Sequence, residues 1–221
     1  MLSARGHLYR YVASSLEGFV QQLAVSYFTK GYWFYVVGGI PERKDPTCVD
    51  EKILEKYQIA MSKWERSRRK EKGSASLQYL RYKQFFVILA THGRHPFFAE
   101  EENNIRDARK VPIKLLGYAI SFRGGHPHVR IEQQVYNGLK AYLLDLAKHR
   151  SAETLAAEFR ALPFEPYAPI RRQLFNILRA VNRARRAAGF TPVPVSCLRL
   201  KRRIVKPFIE VHGSGRPLFA K

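Results

Sequence analysis

The chain has 221 residues, of which 39 are Lys or Arg and 18 are Asp or Glu, so its formal net charge is +21. Apolar residues make up 46% of the sequence, which is enough to form a core and excludes a disordered basic tail. No apolar run approaches the roughly 20 residues that a transmembrane helix needs, so the composition predicts a protein outside the membrane. Its excess positive charge predicts a polyanionic partner, most simply nucleic acid.

Helices and strands alternate in the sequence up to residue 162. Apolar residues three or four apart and capping residues indicate the helices, and short aromatic or β-branched runs indicate the strands. The predicted elements are helix 8–29, strand 32–37, helix 45–60, strand 84–91, short helix 103–110, strands 115–122 and 129–131, and helices 132–148 and 152–161. This order predicts an α+β fold with a ferredoxin-like split βαβ antiparallel sheet and helices on one face.

A proline-rich segment divides the chain. Residues 163–169 contain three prolines, and each one fixes its own φ and disfavours a helical residue before it. We therefore predict an α+β core domain over 1–162, a Pro-rich linker over 163–169 and a basic C-terminal nucleic-acid-binding region over 170–221, helical with a possible strand at 198–205. The positive charge is concentrated there, because residues 169–221 hold 13 Lys or Arg against one acid.

The best-specified element is a helix over 169–188, which Pro169 begins and Gly189 follows. At about 100° per residue its apolar residues share one stripe, and four arginines without an acidic neighbour occupy the opposite side. Arginine offers phosphate bidentate donors and offers bases a plane to stack on. A face of one sign therefore predicts nucleic-acid contact rather than a solvated surface. We call these residues the arginine ladder: Arg172, Arg179, Arg183 and Arg186.

Two further basic segments extend this prediction. In 198–206, apolar and basic residues alternate, which suits a half-buried strand with a basic outer face; the alternative is a solubilising run. In 63–72, a tryptophan stands beside a basic stretch and could stack on a base; the alternative is a surface loop with the tryptophan in the core. The candidate nucleic-acid contacts in these segments are Arg199, Lys201, Arg202, Arg203, Lys206, Trp64, Arg66, Arg68, Arg69 and Lys70.

One motif suggests chemistry. His126 and His128 stand two apart, and histidines at this spacing on a strand face the same side, where they can hold a divalent metal. With Tyr136 downstream, the motif resembles the HUH endonucleases: rolling-circle replication initiators, relaxases and Y1 transposases. That resemblance implies a metal-binding histidine pair and a nucleophilic tyrosine. It departs from the family at Pro127, which predicts a turn at His126, and in the short distance to Tyr136. Two turn histidines beside a basic surface are the favoured interpretation.

A second histidine pair, His92 and His95, precedes three glutamates. Imidazole and carboxylate groups bind transition metals, and the two pairs would form one four-histidine site if their strands were neighbours. Coincidence is favoured, because spacing within a Gly/Pro turn is permissive. We expect no cofactor, and a divalent metal only if the chain is a nuclease.

The predicted location is the cytoplasm. Residues 1–7 contain no signal-peptide apolar core. Cys48 and Cys197 lie far apart in the sequence, which favours a reducing compartment but leaves a disulfide between them open. The sequence is compatible with protein partners in a larger complex and specifies no oligomeric state.

The sequence thus predicts a nucleic-acid-binding protein of a ribonucleoprotein or mobile-element complex. RNA is slightly favoured over DNA, because the predicted sheet is rich in aromatic residues and the sequence has no dimerisation heptad or helix-turn-helix pattern. The alternative is an HUH-like metal-dependent single-strand DNA endonuclease, transposase or replication initiator. A third interpretation is a ribosome-associated or general basic protein.

Overall fold

The computed structural model describes residues 9–208, which form a mixed α/β structure with antiparallel sheets. The strands are β1 (Phe34–Gly39), β2 (Leu77–Tyr82), β3 (Phe85–Ala90), β4 (Arg106–Asp107), β5 (Ile113–Leu115), β6 (Tyr118–Arg123) and β7 (His126–Ile131). The α-helices are α1 (Leu16–Gln21), α2 (Pro46–Lys56), α3 (Lys63–Glu71), α4 (Phe97–Glu100), α5 (Gln133–Leu146), α6 (Ala152–Ala161) and α7 (Ala168–Ala187). A π-helix (Gln22–Tyr27) and a 3₁₀ turn (Phe28–Lys30) continue α1, and a second 3₁₀ turn (Val195–Cys197) follows α7.

Capping residues begin several helices where the sequence predicts them. Asp45 and Ser151 each accept a hydrogen bond from a backbone N–H in the first turn of α2 and α6. Helix α7 has a proline in its first turn, and Gly189 follows its C-cap in the left-handed conformation that ends many helices. The structure confirms the predicted helices at α2, α5, α6 and α7 and the predicted strands at β1, β3, β6 and β7, with shifted ends.

The structure corrects two predictions, one at the start of the described residues and one around β4. Residues 9–15 contain a β-bridge from Val12 to Arg81, so the first helix begins at Leu16 after its cap Ser15; residue 8 lies outside the described residues. The predicted helix over 103–110 is wrong, because this segment consists of turns and the short strand β4, which pairs with β1.

Three further differences between the predicted and the observed elements occur in segments with charged residues. Residues 63–71 form α3 because Ser62 and Glu65 make a reciprocal capping box at its start. Strand β2 is absent from the predicted elements because Gln78 and Arg81 interrupt its apolar pattern. The predicted strand over 198–205 is wrong, since residues 198–206 form neither helix nor strand.

The strands form two sheets: a four-stranded sheet in the order β2-β3-β1-β4 and a three-stranded sheet in the order β5-β6-β7. Gly124 and Gly125 both have positive φ, which suits the tight turn that joins β6 to β7. His126 therefore begins β7, opposite Arg123, and the predicted turn at His126 is wrong. Pro127 is tolerated because β7 is an edge strand of its sheet.

Both faces of the four-stranded sheet are buried, which corrects the prediction of helices on one face. Tyr35 of β1 packs into a core shared with α1, the three-stranded sheet, α5, α6 and α7. Val36, the next residue, packs into a second core with side chains of α2 and α4. The aromatic side chains of β1 are therefore part of the core or its margin and do not form an open base-binding face.

Helix α7 contributes to the larger of these cores. Its predicted apolar stripe is confirmed, because Ile170, Leu174, Ile177 and Val181 are buried. The helix packs against β7 and α5. Residues 162–167, which include most of the predicted linker, have no regular secondary structure. The predicted region 170–221 extends past the described residues at its last 13 positions.

No helix within residues 9–208 has both the length and the apolar character needed to cross a membrane. Cys48 is exposed and Cys197 is buried, and both are free thiols. The disulfide that the sequence left open is therefore not formed.

Candidate nucleic-acid interface

The arginine ladder lies on the exposed face of α7, opposite the buried stripe. All four of its side chains are exposed. None of the four guanidinium groups is in an ion pair within residues 9–208, where the arginines that do pair with acids lie on other elements. At about 1.5 Å per residue, the ladder extends over roughly 20 Å. The helix thus presents a row of uncompensated positive charges.

Three members of the ladder line a groove of about 500 Å³: Arg179, Arg183 and Arg186. Phe175, Leu178, Asn182 and Val195 complete its lining. The groove therefore offers cationic groups for phosphates beside apolar groups against which a base or a sugar can pack.

Side-chain amides fix the segments around this surface. Each of three amides both donates to and accepts from the backbone of one residue, as a neighbouring strand would. The pairs, with their N···O distances, are Asn182 with Val193 (2.9 and 2.7 Å), Gln173 with Ile131 (3.0 and 2.8 Å) and Gln21 with Val205 (2.8 and 3.3 Å). These contacts hold the groove wall, the free edge of β7 and the basic segment 198–206 in place.

Arg185 has a different role from the ladder. Its side chain is buried, and its guanidinium donates to the carbonyl oxygens of Thr191 (2.6 Å), Ala147 (3.0 Å) and Arg150 (2.8 Å). Two of these carbonyls follow α5, so Arg185 satisfies acceptors at the end of that helix. The sequence analysis missed this residue, although its position four residues after Val181 places it on the buried stripe.

A second basic patch adjoins the ladder at Arg172. Burial lowers the pKa of His128, and the positive charges of Arg123, Arg130 and Arg172 lower this pKa further. The charges of three guanidiniums, on β6, β7 and the start of α7, therefore act on His128. The lowered pKa favours the neutral form of this imidazole, so the positive charge of the patch comes from the three arginines.

The basic segment 198–206 has two of its arginines engaged. Nη2 of Arg199 is 2.9 Å from Oε1 of Glu165, whose side chain is 5% exposed. Nη1 of Arg202 donates to Gln21 (3.3 Å) and to the Tyr167 hydroxyl (3.2 Å), and its guanidinium lies over the Tyr167 ring. The predicted contacts in this segment whose side chains are exposed are Lys201, Arg203 and Lys206.

The basic residues of α3 also include some that are engaged by protein groups and some that are exposed. Three of them donate to protein groups: Arg66 to the Ile59 carbonyl, Arg69 to the Gln58 side chain and Lys70 to the Lys30 carbonyl. Arg68 is exposed, and Trp64 is 78% exposed. The alternative that Trp64 packs in the core is therefore wrong, and its ring is available for stacking.

One histidine pair follows a strand of the four-stranded sheet, and the other lies on a strand of the three-stranded sheet. His92 and His95 follow β3, whereas His126 and His128 belong to β7. Nδ1 of His95 accepts a hydrogen bond from a backbone N–H of α4, and burial lowers the pKa of His95. Residues 9–208 contain no group of three or more His, Cys, Asp or Glu arranged to hold a metal, so the four histidines do not form one cluster there. Tyr136 lies on α5, partly buried against the larger core.

No protein-family model matches this chain, and the comparison with curated proteins found no significant match. Function must therefore be argued from the chain's own residues, chiefly the ladder, the groove and the patch around His128.

Proposed function

We propose that this protein binds single-stranded nucleic acid, with RNA as the ligand to test first, through the arginine ladder and the groove beside it. The observation that carries the proposal is a row of four exposed guanidiniums with no acidic partner among the described residues. Such a row repels itself along the helix, whereas phosphates would give each arginine a bidentate, charge-assisted partner. A role in a ribonucleoprotein or mobile-element complex would use this surface as a positioning contact.

The groove favours a single strand over a duplex. Its volume of about 500 Å³ suits one or two nucleotides, and Phe175 and Val195 supply apolar surface beside the arginines. Single-strand binders combine phosphate-tracking cations with aromatic groups on which bases stack. Trp64, exposed beside Arg68 on α3, offers a second aromatic group of this kind.

We further propose a split βαβ, ferredoxin-like arrangement for residues 34–107. Its support is the strand order β2-β3-β1-β4, antiparallel pairing between all neighbours, and helices between β1 and β2 and between β3 and β4. The strands that carry it are not those expected from the sequence, because β2 and β4 take the places of 115–122 and 129–131. Both faces of this sheet are covered, so the binding surface lies elsewhere.

HUH-like strand nicking is the second candidate function, and one observation favours it. His126 and His128 are two residues apart on β7 and so face the same side of the strand. The described residues supply no third ligating side chain beside them, so the fit to a metal is incomplete and no catalytic step follows. If His126→Ala and Tyr136→Phe leave the cleavage of labelled single-stranded DNA unchanged, this candidate fails.

The test of the binding proposal replaces all four ladder arginines with Gln and measures the affinity for single-stranded RNA across a salt series. Each phosphate contact contributes about 0.7 to the slope of log K against log salt on a single strand, and about 0.9 on duplex DNA. We expect the slope to fall by about 3 on RNA. A matched control changes four exposed cations outside the interface: Arg43, Lys44, Lys52 and Lys110. An unchanged slope in the ladder variant would contradict the proposal.

A further inference from the structure

The structure has a basic cleft that is separate from the groove beside the ladder and shares no lining residue with it. It lies between the extended segment before α1, the π-helix and the start of α3, and it encloses about 340 Å³. That volume is at the lower end of the range for small-molecule sites, roughly 300–1,000 Å³. Four cationic side chains and no carboxylate line it; the cations are Arg10, Lys30, Lys63 and Arg66.

The other side chains of the cleft are neutral. Tyr9, Tyr27, Met61 and Phe208 supply aromatic and apolar surface. Burial raises the pKa of Tyr27 to about 12, and burial also raises the pKa of Tyr9 well above its ordinary value, so both phenols stay protonated. Glu65, in the first turn of α3, does not line the cleft; its carboxylate accepts a hydrogen bond from the Ser62 N–H. All the charged side chains of the lining are therefore cationic.

Arg66 is fixed in position within this lining. Its Nη2 donates to the Ile59 carbonyl at 2.9 Å, and its guanidinium carbon lies 5.2 Å from the centre of the Tyr9 ring. Its Nε is buried and has no hydrogen-bond partner among the described residues. Because Arg66 lines the cleft and these contacts restrain its side chain, its guanidinium is preorganised for an anion.

The basic segment 198–206 leads from the groove to the cleft. Val195 lines the groove and Phe208 lines the cleft, so the chain between them connects the two sites. Contacts to Gln21 and to Ser14, whose N–H donates to the Pro207 carbonyl at 2.9 Å, hold this segment against the protein. Three exposed cations of this segment lie between the two sites in the chain: Lys201, Arg203 and Lys206.

We propose that this cleft binds a nucleotide through a phosphomonoester, carried either by the end of a bound strand or by a free mononucleotide. A phosphomonoester has a charge of about −1.5 to −2 at neutral pH, which exceeds the single charge of an internal phosphodiester. Four cations around a small volume therefore favour a terminal phosphate over an internal one. The strand-end form rests on the proposed function of the ladder, and the free-nucleotide form does not.

The test uses the full chain and five probes: a single-stranded RNA with a 5′-phosphate, with a 3′-phosphate or with neither, and AMP compared with adenosine. We expect one phosphorylated probe to bind about tenfold more tightly than its counterpart, the effect of a charged hydrogen-bonded contact. This advantage should disappear in Lys30→Gln/Lys63→Gln, where both side chains are exposed, and in Arg66→Gln. Lys44→Gln/Lys52→Gln is the control with the same charge change, and it should keep the advantage.

The outcomes separate the two sources of phosphate. A gain from a terminal phosphate identifies a strand end, and a gain for AMP alone identifies a free nucleotide. The inference is overturned if no phosphorylated probe gains affinity, or if the gain persists in both cleft variants. In the ladder variant, AMP should still bind to the cleft. Unchanged RNA binding by the ladder variant would contradict the proposed function and not the cleft.

Discussion

The arginine ladder and the basic segment 198–206 are both rich in positive charge, but they differ in how many of their arginines bind other groups of the protein. The ladder arginines have no acidic partner among the described residues, whereas Arg199 binds Glu165 and Arg202 binds Gln21 and Tyr167. A cation already held by protein groups must give up those contacts before it can bind a phosphate. The difference shows that density of positive charge in a sequence does not by itself locate a binding surface.

A single buried carboxylate accounts for much of this difference. Glu165 is 4% exposed, and it accepts hydrogen bonds from the Arg199 guanidinium and from the Arg203 backbone N–H. A buried carboxylate needs such partners, because an unpaired charge inside a protein is strongly destabilising. Helix α7 exposes no acid that could serve the ladder in the same way.

The largest expected effect separates Arg185 from its neighbour Arg186 within α7. Arg185→Gln should lower the free energy of unfolding by about 2–4 kcal/mol, since it removes the guanidinium that donates to the carbonyl of Ala147 in a buried bond and to those of Thr191 and Arg150 in partly buried ones. Arg186→Gln should change it by about 0.5 kcal/mol or less, as is usual for exposed residues. Urea unfolding of both variants measures the contrast, and equal losses of stability would remove the distinction between engaged and free arginines.

Helix α3 also contains engaged cations, but its tryptophan, Trp64, is exposed. Trp64→Ala should weaken binding of single-stranded RNA by about tenfold, because stacking of one base contributes about 1–3 kcal/mol. The thermal midpoint should stay the same, as the ring is 78% exposed. Trp64→Phe keeps an aromatic face and should retain part of the affinity. Full affinity in Trp64→Ala would limit the interface to α7 and β7.

The smallest expected effect is a pH dependence at His128. The fold lowers the pKa of His128, so this side chain takes up a proton more readily in the unfolded chain. The contribution of His128 to the free energy of unfolding is therefore present above the ordinary histidine pKa of about 6.5 and is lost as pH falls from there through the lowered pKa. Phosphates near Arg123, Arg130 and Arg172 would raise this pKa again, so binding takes up a proton. Affinity should then rise by up to about fivefold as pH falls from about 7.5 to about 5.5.

His128→Gln should remove this rise, and His149→Gln, at an exposed position after α5, should keep it. Titration of RNA affinity against pH in the three proteins measures the effect. An identical pH profile in His128→Gln and the unmodified chain would place the bound phosphates away from β7.

The sequence predicts α7 well because several local signals agree there. Pro169, Gly189 and the apolar stripe define its ends and its buried face, and hence its exposed arginines. Other features depend on partners distant in sequence. Arg202 is held by Gln21, 181 residues away, and Arg199 by Glu165 across the proline-rich segment. A local sequence pattern does not specify contacts between such distant residues. The alternation of apolar and basic residues in 198–206 therefore could not show which of its arginines are engaged.

The proposed function assigns the internal phosphates of the strand to the free cations of the ladder and not to the engaged arginines of the basic segment 198–206. Two double variants with the same charge change test it most directly: Arg179→Gln/Arg183→Gln in the ladder and Arg199→Gln/Arg202→Gln in the basic segment. Both are compared by the salt dependence of binding to one single-stranded RNA, under conditions in which both variants are folded. The slope should fall by about 1.4 in the first variant, for two lost phosphate contacts, and stay nearly constant in the second. Equal decreases, or a larger decrease in the second variant, would show that the engaged arginines contact the phosphates as well.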